Sequence, residues 1–295
     1  MQIEESQLTL SLELFRQLVD CENVSDLKNT VISPFSLSIV LAVLYEGSSG
    51  ETAKELALLM TGSDKLDDCN LHYSREYFVC LMQSLKKCHS KNCQLLITNK
   101  VFKSIEKEVN ENFANTIQKS YLFDEETVNF VDAEKAAKTI NEFVNKATNC
   151  MLPAITAADQ IDPTTCLLLL SVLYFKGSWG FGPFNIDCTQ KATFHNFDGQ
   201  KPQVDTMFKH ISAPYYGDDQ LQAVRLPYSS PNVSMILLLP RNKENFSQVV
   251  QNLDANFLQS IMNGKKTVER EVDVHLPKFK VDSKHDLTSV LKNLV

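Results

Sequence analysis

A nearly continuous apolar run from Cys166 to Phe175 constrains the fold of this chain more than any other segment. At ten residues, the run is too short for a membrane-spanning helix, which needs about 20 apolar residues. Its leucine, valine and aromatic side chains favour a strand that is buried on both faces. The sequence therefore predicts a strand at the centre of a large sheet, ended by the glycines that follow Lys176.

A second apolar segment, residues 34–46, predicts a buried core helix because it is apolar on nearly every side. Ser33 is placed to cap its first turn, Pro34 suits its first helical position, and Gly47 suits a left-handed stop at its end. Ser36 is polar within this segment and therefore needs a hydrogen-bond partner inside the protein.

The remaining patterns place helices mainly in the first half and strands mainly in the second. Thr52 and Glu55 have the spacing of a capping box. The other predicted elements are a first helix on Leu8, Leu12, Phe15 and Val19, a helix over 74–88, a strand over 94–103, a helix capped by Asp132 with Ala136, Ile140, Phe143 and Ala147 on one stripe, and strands over 233–239 and 271–276. Without βαβ alternation, this order predicts an α+β fold.

Composition and motifs exclude several classes of function. The net charge of −7 and the pI near 5.4 argue against a nucleic-acid partner. The six histidines are scattered, and the sequence contains no nucleophile elbow, phosphate-binding loop or zinc-protease motif. We therefore predict no catalytic residue, no metal site, no cofactor and no membrane partner. The basic residues Lys86, Lys87 and Lys91 could contact a polyanion such as heparin, but a solvated helix end, where cations offset the macrodipole, is the favoured explanation.

The compartment stays open at this stage. Eight cysteines without a C-x-x-C pair and the absence of a visible signal peptide favour free thiols in a reducing compartment. Three N-x-S/T sequons, at Asn23, Asn232 and Asn245, allow an extracellular protein, although Asn232 adjoins an apolar run that is a poor place for a glycan.

An ordered series of six segments covers almost the whole chain. They are VISPFSLS with its continuation to Thr52, TNKVF with residues 112–130, AAKTINEFVNKAT, LLLLSVLYFKGSW with Phe184, Thr189 and Phe194, LPY with SMILLLP, and LPKFK with residues 286–291. In sequence and spacing this series resembles the serpin family of serine protease inhibitors, and its intracellular-type members in particular.

The resemblance implies one domain over residues 1–295, with three β-sheets and about nine helices. It also implies inhibition of serine or cysteine proteases by a suicide-substrate mechanism. In that mechanism the protease cleaves an exposed loop, and the loop then inserts as a new strand into a metastable sheet. Carried over by position, the shutter that controls this insertion falls on Ser33, Pro34, Ser36 and Ser171, and the breach falls on Trp179.

The chain departs from the family pattern at three places. Ser171-Val172 stands where the family has Asn-Ala, and residues 149–151 stand where it tends to Gly-Lys-Ile. Residues 291–295 end within a helical pattern, so we expect a chain that is truncated before the reactive loop and that does not inhibit by itself.

Two functions remain open on the sequence. The first is a protease inhibitor whose full-length form carries the loop, with a target serine protease as its partner. The alternative is a non-inhibitory serpin-like binding or scaffold protein. In either case we expect the open sheet edges of the 295-residue chain to favour self-association.

Overall fold

A computed structural model of the chain describes residues 2–19, 28–62, 68–230 and 232–294, without the side chains of residues 2 and 68–71. The chain forms two compact units, Ser33–Lys176 and a second unit built from Met1–Ile32 and Gly177–Val295. No helix within the described ranges combines the length and the apolar character that a bilayer crossing requires.

Nine α-helices and eight strands make up the described structure. The helices are α1 (Gln2–Leu18), α2 (Pro34–Glu46), α3 (Gly50–Thr61), α4 (Asp68–Lys87), α5 (Glu111–Tyr121), α6 (Ala133–Ala147), α7 (Phe246–Asn252), α8 (Ala255–Met262) and α9 (Thr288–Asn293). The strands are β1 (Cys93–Ser104), β2 (Phe123–Val128), β3 (Leu167–Gly177), β4 (Gln190–Thr193), β5 (Gln203–Gly217), β6 (Leu221–Pro227), β7 (Ser234–Pro240) and β8 (Val268–Pro277). Helices dominate the first half and strands the second, which confirms the predicted α+β class.

The unit Ser33–Lys176 contains a three-stranded sheet in the order β2-β1-β3. β1 and β2 are parallel, with a register that runs from Asn99 opposite Phe123 to Ser104 opposite Val128. Helix α6 packs its apolar stripe on one face of this sheet, around the fully buried ring of Phe102.

The predicted position of the apolar run 166–175 is wrong. The run does form strand β3, but β3 is an edge strand, because β1 is its only neighbour among the described strands. Most of its side chains are therefore only half-buried, and Leu167 is 41% exposed. A run of leucines has the same appearance in a central strand and in an edge strand, since the pattern records side chains and not backbone pairing.

Helix α2 packs against α3, α4 and α5 in the same unit, and the predicted core helix is confirmed in its middle, where Ile39, Ala42 and Val43 are fully buried. The left-handed stop at Gly47 is wrong, because its φ is −98°. Glycine is required there for space, since a Cβ would lie 2.9 Å from Cε2 of Phe113.

The two predicted helix starts outside α2 differ in outcome. Asp132 caps α6 as predicted, accepting a hydrogen bond from the Lys135 backbone N–H at 3.2 Å. The capping box at Thr52 and Glu55 is wrong, because α3 begins two residues earlier with Ser49 at its N-cap. Gly50 adopts a φ of +63°, which lets the chain turn into the helix before Thr52.

In the other unit, the long strand β5 takes part in two sets of pairings. Its first part pairs with β4 and β8, and its last residues, from Tyr215, pair with β6, which in turn pairs with β7. The described strands thus form two sheets, one of three strands and one of five, whereas the resemblance implies three. The alternation over 271–276 is confirmed, because Val274 and Leu276 are buried on one side of β8. The strand predicted over 233–239 is found as β7, but its residues are mostly half-buried and Leu239 is 57% exposed.

A strained turn follows α6. Cys150 has a φ of +65°, and Asn149 before it has a φ of +50°. Asparagine tolerates this region, whereas a side chain such as that of cysteine costs about 1–2 kcal/mol there. We expect Cys150→Gly to raise the free energy of unfolding by about 1 kcal/mol. Urea denaturation followed by circular dichroism would measure this, and an unchanged or lowered midpoint would contradict it.

Candidate functional site

The first two shutter serines lie together at the start of α2. The Ser33 hydroxyl donates a hydrogen bond to the Ser36 Oγ at 2.9 Å, and it accepts one from the Ser36 backbone N–H at 3.3 Å. Ser33 is thus the N-cap predicted from the sequence, and Pro34 occupies the first helical position. Ser36 therefore has a hydrogen-bond partner, but this partner is the exposed Ser33 at the helix start and not a group inside the protein.

Ser171, the third shutter serine, lies in the middle of β3. Its Oγ is buried and has no hydrogen-bond partner among the described residues. It makes no hydrogen bond to Ser33 or Ser36 in the described structure, so the shutter residues are not joined into one network. A buried hydroxyl without a partner costs stability, because it has lost its bonds to water.

Removal of that hydroxyl is therefore expected to stabilise the protein. We expect Ser171→Ala to raise the free energy of unfolding by about 1 kcal/mol. Ser33→Ala is the matched control, and it should lower the same quantity by about 0.5–1 kcal/mol because it removes a helix cap. Chemical denaturation of both variants would measure the effects. A loss of stability in Ser171→Ala would mean that its hydroxyl has a partner.

The breach residue Trp179 lies in the other unit, at the centre of an aromatic cluster. Its ring stacks on Tyr228 with centroids 4.7 Å apart and on Phe181 with centroids 5.5 Å apart, and it meets Phe184 edge to face at 6.0 Å. Backbone pairing between Trp179 and Tyr228 holds the two stacked rings side by side. No hydrogen-bond acceptor for the indole N–H is found among the described residues, so ring packing and the backbone pairing with Tyr228 hold the side chain.

Gly180, next to Trp179, allows the backbone there to approach the backbone of residues 227–228 closely. Gly180 donates its N–H to the Pro227 carbonyl at 2.8 Å, and a Cβ on Gly180 would lie 3.0 Å from the Tyr228 carbonyl oxygen. A side chain at this position would push the two segments apart and would open the stack of Trp179 on Tyr228.

A lysine beneath this cluster was missed by the sequence reasoning. Lys209 Nζ donates to the carbonyl oxygens of Phe181, Gly182 and Pro183 at 2.8, 3.1 and 2.7 Å. Its ammonium also lies 5.2 Å from the centroid of the Phe181 ring. These charge-assisted contacts hold the loop after Trp179 in place. No sequence signal identifies them, because the acceptors are backbone carbonyls about 27 residues away.

The other predicted positions lie on the surface or outside the described residues. Lys86 and Lys87 lie in the last turn of α4 and are exposed, as is Lys91. Asn232 is exposed in a left-handed turn, and it adjoins the apolar run of β7, whose side chains are mostly half-buried. Asn245 is half-buried at the start of α7, and Asn23 lies outside the described residues.

Known proteins resemble this chain both in sequence and in fold. The family model described as Serpin (serine protease inhibitor) matches residues 5–294. Human serpin B11 is 27% identical over 306 residues, covering 99% of this chain and 77% of the relative. Leukocyte elastase inhibitor from Sus scrofa is 28% identical over 300 residues, covering 99% of this chain and 76% of the relative.

Solved structures agree with the sequence comparison. Native protease nexin-1 with heparin has a TM-score of 0.87 and 26% identity, covering 99% of this chain and 77% of that chain. Ovalbumin from emu has a TM-score of 0.90 at 23% identity, covering 100% of this chain and 78% of that chain, which shows the fold alone. The family match and the α+β architecture thus agree on one class of protein fold, that of the serpins. This chain belongs to the serpin family.

Proposed function

We propose that this protein inhibits a serine-type endopeptidase, or a cysteine protease, by accepting its own cleaved loop as an added strand beside β3. The observation that carries the proposal is the unpaired edge of β3 in the described structure. Membership of a family of protease inhibitors supports it, as does the relative from Sus scrofa that is named for inhibition of leukocyte elastase.

The edge of β3 is well suited to accept a strand. It is 11 residues long, and its backbone offers a row of N–H and C=O groups that pair with one neighbour only. Pairing with an incoming strand would supply hydrogen bonds along this row and would remove half-exposed side chains such as Leu167 from water. Ser33, Ser36 and Ser171 are the proposed shutter around this step, and Trp179 is the proposed breach residue.

The 295-residue chain can be tested directly for strand acceptance. An 11-residue peptide of alternating Thr and Ala matches the length of β3. We expect it to raise the thermal unfolding midpoint of the chain, because added strand pairing stabilises the sheet. The same peptide with Pro at alternate positions is the control, since it lacks the N–H donors. Equal effects of the two peptides, or no effect of either, would contradict the proposed acceptor.

Inhibition itself needs a form of the protein that carries a reactive loop. We expect that form to give an SDS-stable covalent complex with one member of a panel of serine and cysteine proteases. The 295-residue chain should give none. Cleavage without a complex, and without a rise in thermal stability, would instead favour the non-inhibitory binding or scaffold function.

We also expect the 295-residue chain to self-associate. Light scattering tests this expectation, and a stable monomer would contradict it.

Polyanion binding stays a prediction. The exposed Lys86, Lys87 and Lys91 offer cations at the end of α4, and the similar structure of protease nexin-1 was solved with heparin. The macrodipole of α4 accounts for two of these lysines without any ligand.

A further inference from the structure

A cavity of 990 Å³ lies within the unit Ser33–Lys176, between α2, α5 and the beginning of β3. Its wall is mostly apolar and includes Val40, Leu44, Val109, Phe113, Leu167 and Leu169. Leu44 is 45% exposed, so part of this apolar wall is open to solvent. The size and the lining are typical of sites that bind small molecules.

One end of the cavity is polar and carries an arginine with unused donors. Arg75 binds the Glu46 carboxylate through Nε at 2.9 Å and through Nη2 at 2.7 Å, and the Tyr121 hydroxyl donates to the same carboxylate at 2.8 Å. The Glu46 carboxylate therefore accepts three hydrogen bonds, and it is buried, with a side-chain exposure of 4%. The Tyr121 hydroxyl also neighbours the guanidinium. Within the described ranges Nε and Nη2 bond to Glu46, so Nη1 is the donor that a ligand in the cavity would use.

The charged residues of the lining are two cations, Arg75 and Lys107, and two carboxylates, Glu46 and Glu108, so the feature that suits an anionic ligand group is the unused donor of Arg75. The hydrogen bond to Glu46 raises the pKa of Arg75 above its ordinary value, so the guanidinium keeps its charge. Burial, followed by the charge of Glu46, raises the pKa of Tyr121, so its hydroxyl stays a donor to Glu46. Lys107 adds a second, exposed cation to the lining, beside the exposed Glu108. The unused hydrogen-bonding group at the polar end of the cavity is thus the cationic N–H donor of Arg75 Nη1.

We propose that this cavity binds a single-chain amphiphile with a carboxylate head group, such as a medium-chain fatty acid. The alkyl chain would lie along the leucine and valine side chains of α2 and β3, where its burial is favourable. The carboxylate would accept hydrogen bonds from Nη1 of Arg75, in a contact that Lys107 supports electrostatically. The cavity shares Leu167 and Leu169 with β3, but the binding proposed for it does not depend on protease inhibition.

Dodecanoate, used below its micelle concentration, is the probe for the test. We expect saturable binding by isothermal titration calorimetry, with dodecanol binding about tenfold more weakly because it lacks the charge-assisted hydrogen bond. The thiol of Cys166 lines the cavity and is exposed, whereas the exposed thiol of Cys80 lies outside it. Dodecanoate should therefore slow alkylation of Cys166 by iodoacetamide several-fold and leave the rate at Cys80 unchanged.

Substitutions at two neighbouring residues of α5 test whether dodecanoate binds in the cavity. Thr116 lines the cavity, while its neighbour Asn115 is exposed and outside the lining. We expect Thr116→Trp to abolish both dodecanoate binding and protection of Cys166, and Asn115→Trp to keep both. Lys107→Glu, before α5, should weaken binding several-fold. Lys119→Glu, on α5 and outside the cavity lining, should not. Absence of saturable binding or of Cys166 protection in the wild-type chain would overturn the proposal, even if Thr116→Trp fails to fold. Equal affinities for dodecanol and dodecanoate would also overturn the proposal.

Discussion

Arg75→Leu is expected to lower the free energy of unfolding by about 3 kcal/mol, because it leaves the buried Glu46 carboxylate without its charged partner. Loss of a partner from a fully buried pair costs about 3–5 kcal/mol, and the lower end applies here. The reason is that the Arg75 side chain is 35% exposed while that of Glu46 is 4% exposed. Tyr121 keeps its hydrogen bond to Glu46 but supplies no charge.

A double-mutant cycle separates the pair from simple loss of packing. We expect Arg75→Leu combined with Glu46→Leu to be more stable than Arg75→Leu alone, because the unpaired buried charge is gone. Urea denaturation followed by circular dichroism would give the four free energies. The exposed pair of Lys54 and Glu51 is the matched control, and Lys54→Leu should change stability by less than about 0.5 kcal/mol. Strictly additive effects of Arg75→Leu and Glu46→Leu would contradict the coupling.

Trp179→Ala is expected to cost about 3 kcal/mol, because it empties the centre of the aromatic cluster. Replacement of a packed tryptophan by alanine costs about 3–5 kcal/mol, and the lower end applies because the ring is half-buried. The stacks on Tyr228 and Phe181 add about 0.5–1.5 kcal/mol each to aromatic burial and are lost with it.

Circular dichroism is the appropriate measurement for this variant, because Trp179 is the only tryptophan and its fluorescence is lost. Trp179→Phe keeps a ring in the cluster and should cost about 1 kcal/mol. Phe194→Ala is the control at a ring that is 45% exposed, and it should cost less than about 1 kcal/mol. A cost for Trp179→Ala as small as that for Phe194→Ala would mean that the cluster does not contribute to stability.

Local features of the fold follow from the sequence, whereas features that depend on distant residues do not. Asp132 was predicted as a cap and is one, since a cap depends only on the three residues that follow it. Gly47 was correctly singled out but for the wrong reason, because the ring that requires a glycine there belongs to Phe113 on another helix. The edge position of β3 could not be predicted, because it depends on which other strands pair with it.

For the candidate functional site too, the sequence located some residues, and only the structure showed their contacts. The resemblance located Ser33, Ser171 and Trp179 by position, but it did not show that Ser33 bonds to Ser36 while Ser171 Oγ has no partner in the described structure. The contacts of Lys209 with three carbonyl oxygens were invisible in the sequence. Backbone acceptors have no side-chain signature, so only the folded chain reveals such contacts.

By itself, the sequence determined the α+β class, the family, most helices and strands, and the caps at Ser33 and Asp132. These features depend on periodicity and on neighbours within one helical turn, which any local segment contains. Only the tertiary structure decided the open edge of β3 and the cavity with its arginine. Arg75 and Glu46 are 29 residues apart, and Tyr121 and Glu46 are 75 residues apart. No local pattern encodes such contacts, because they exist only after helices α2, α4 and α5 have packed together.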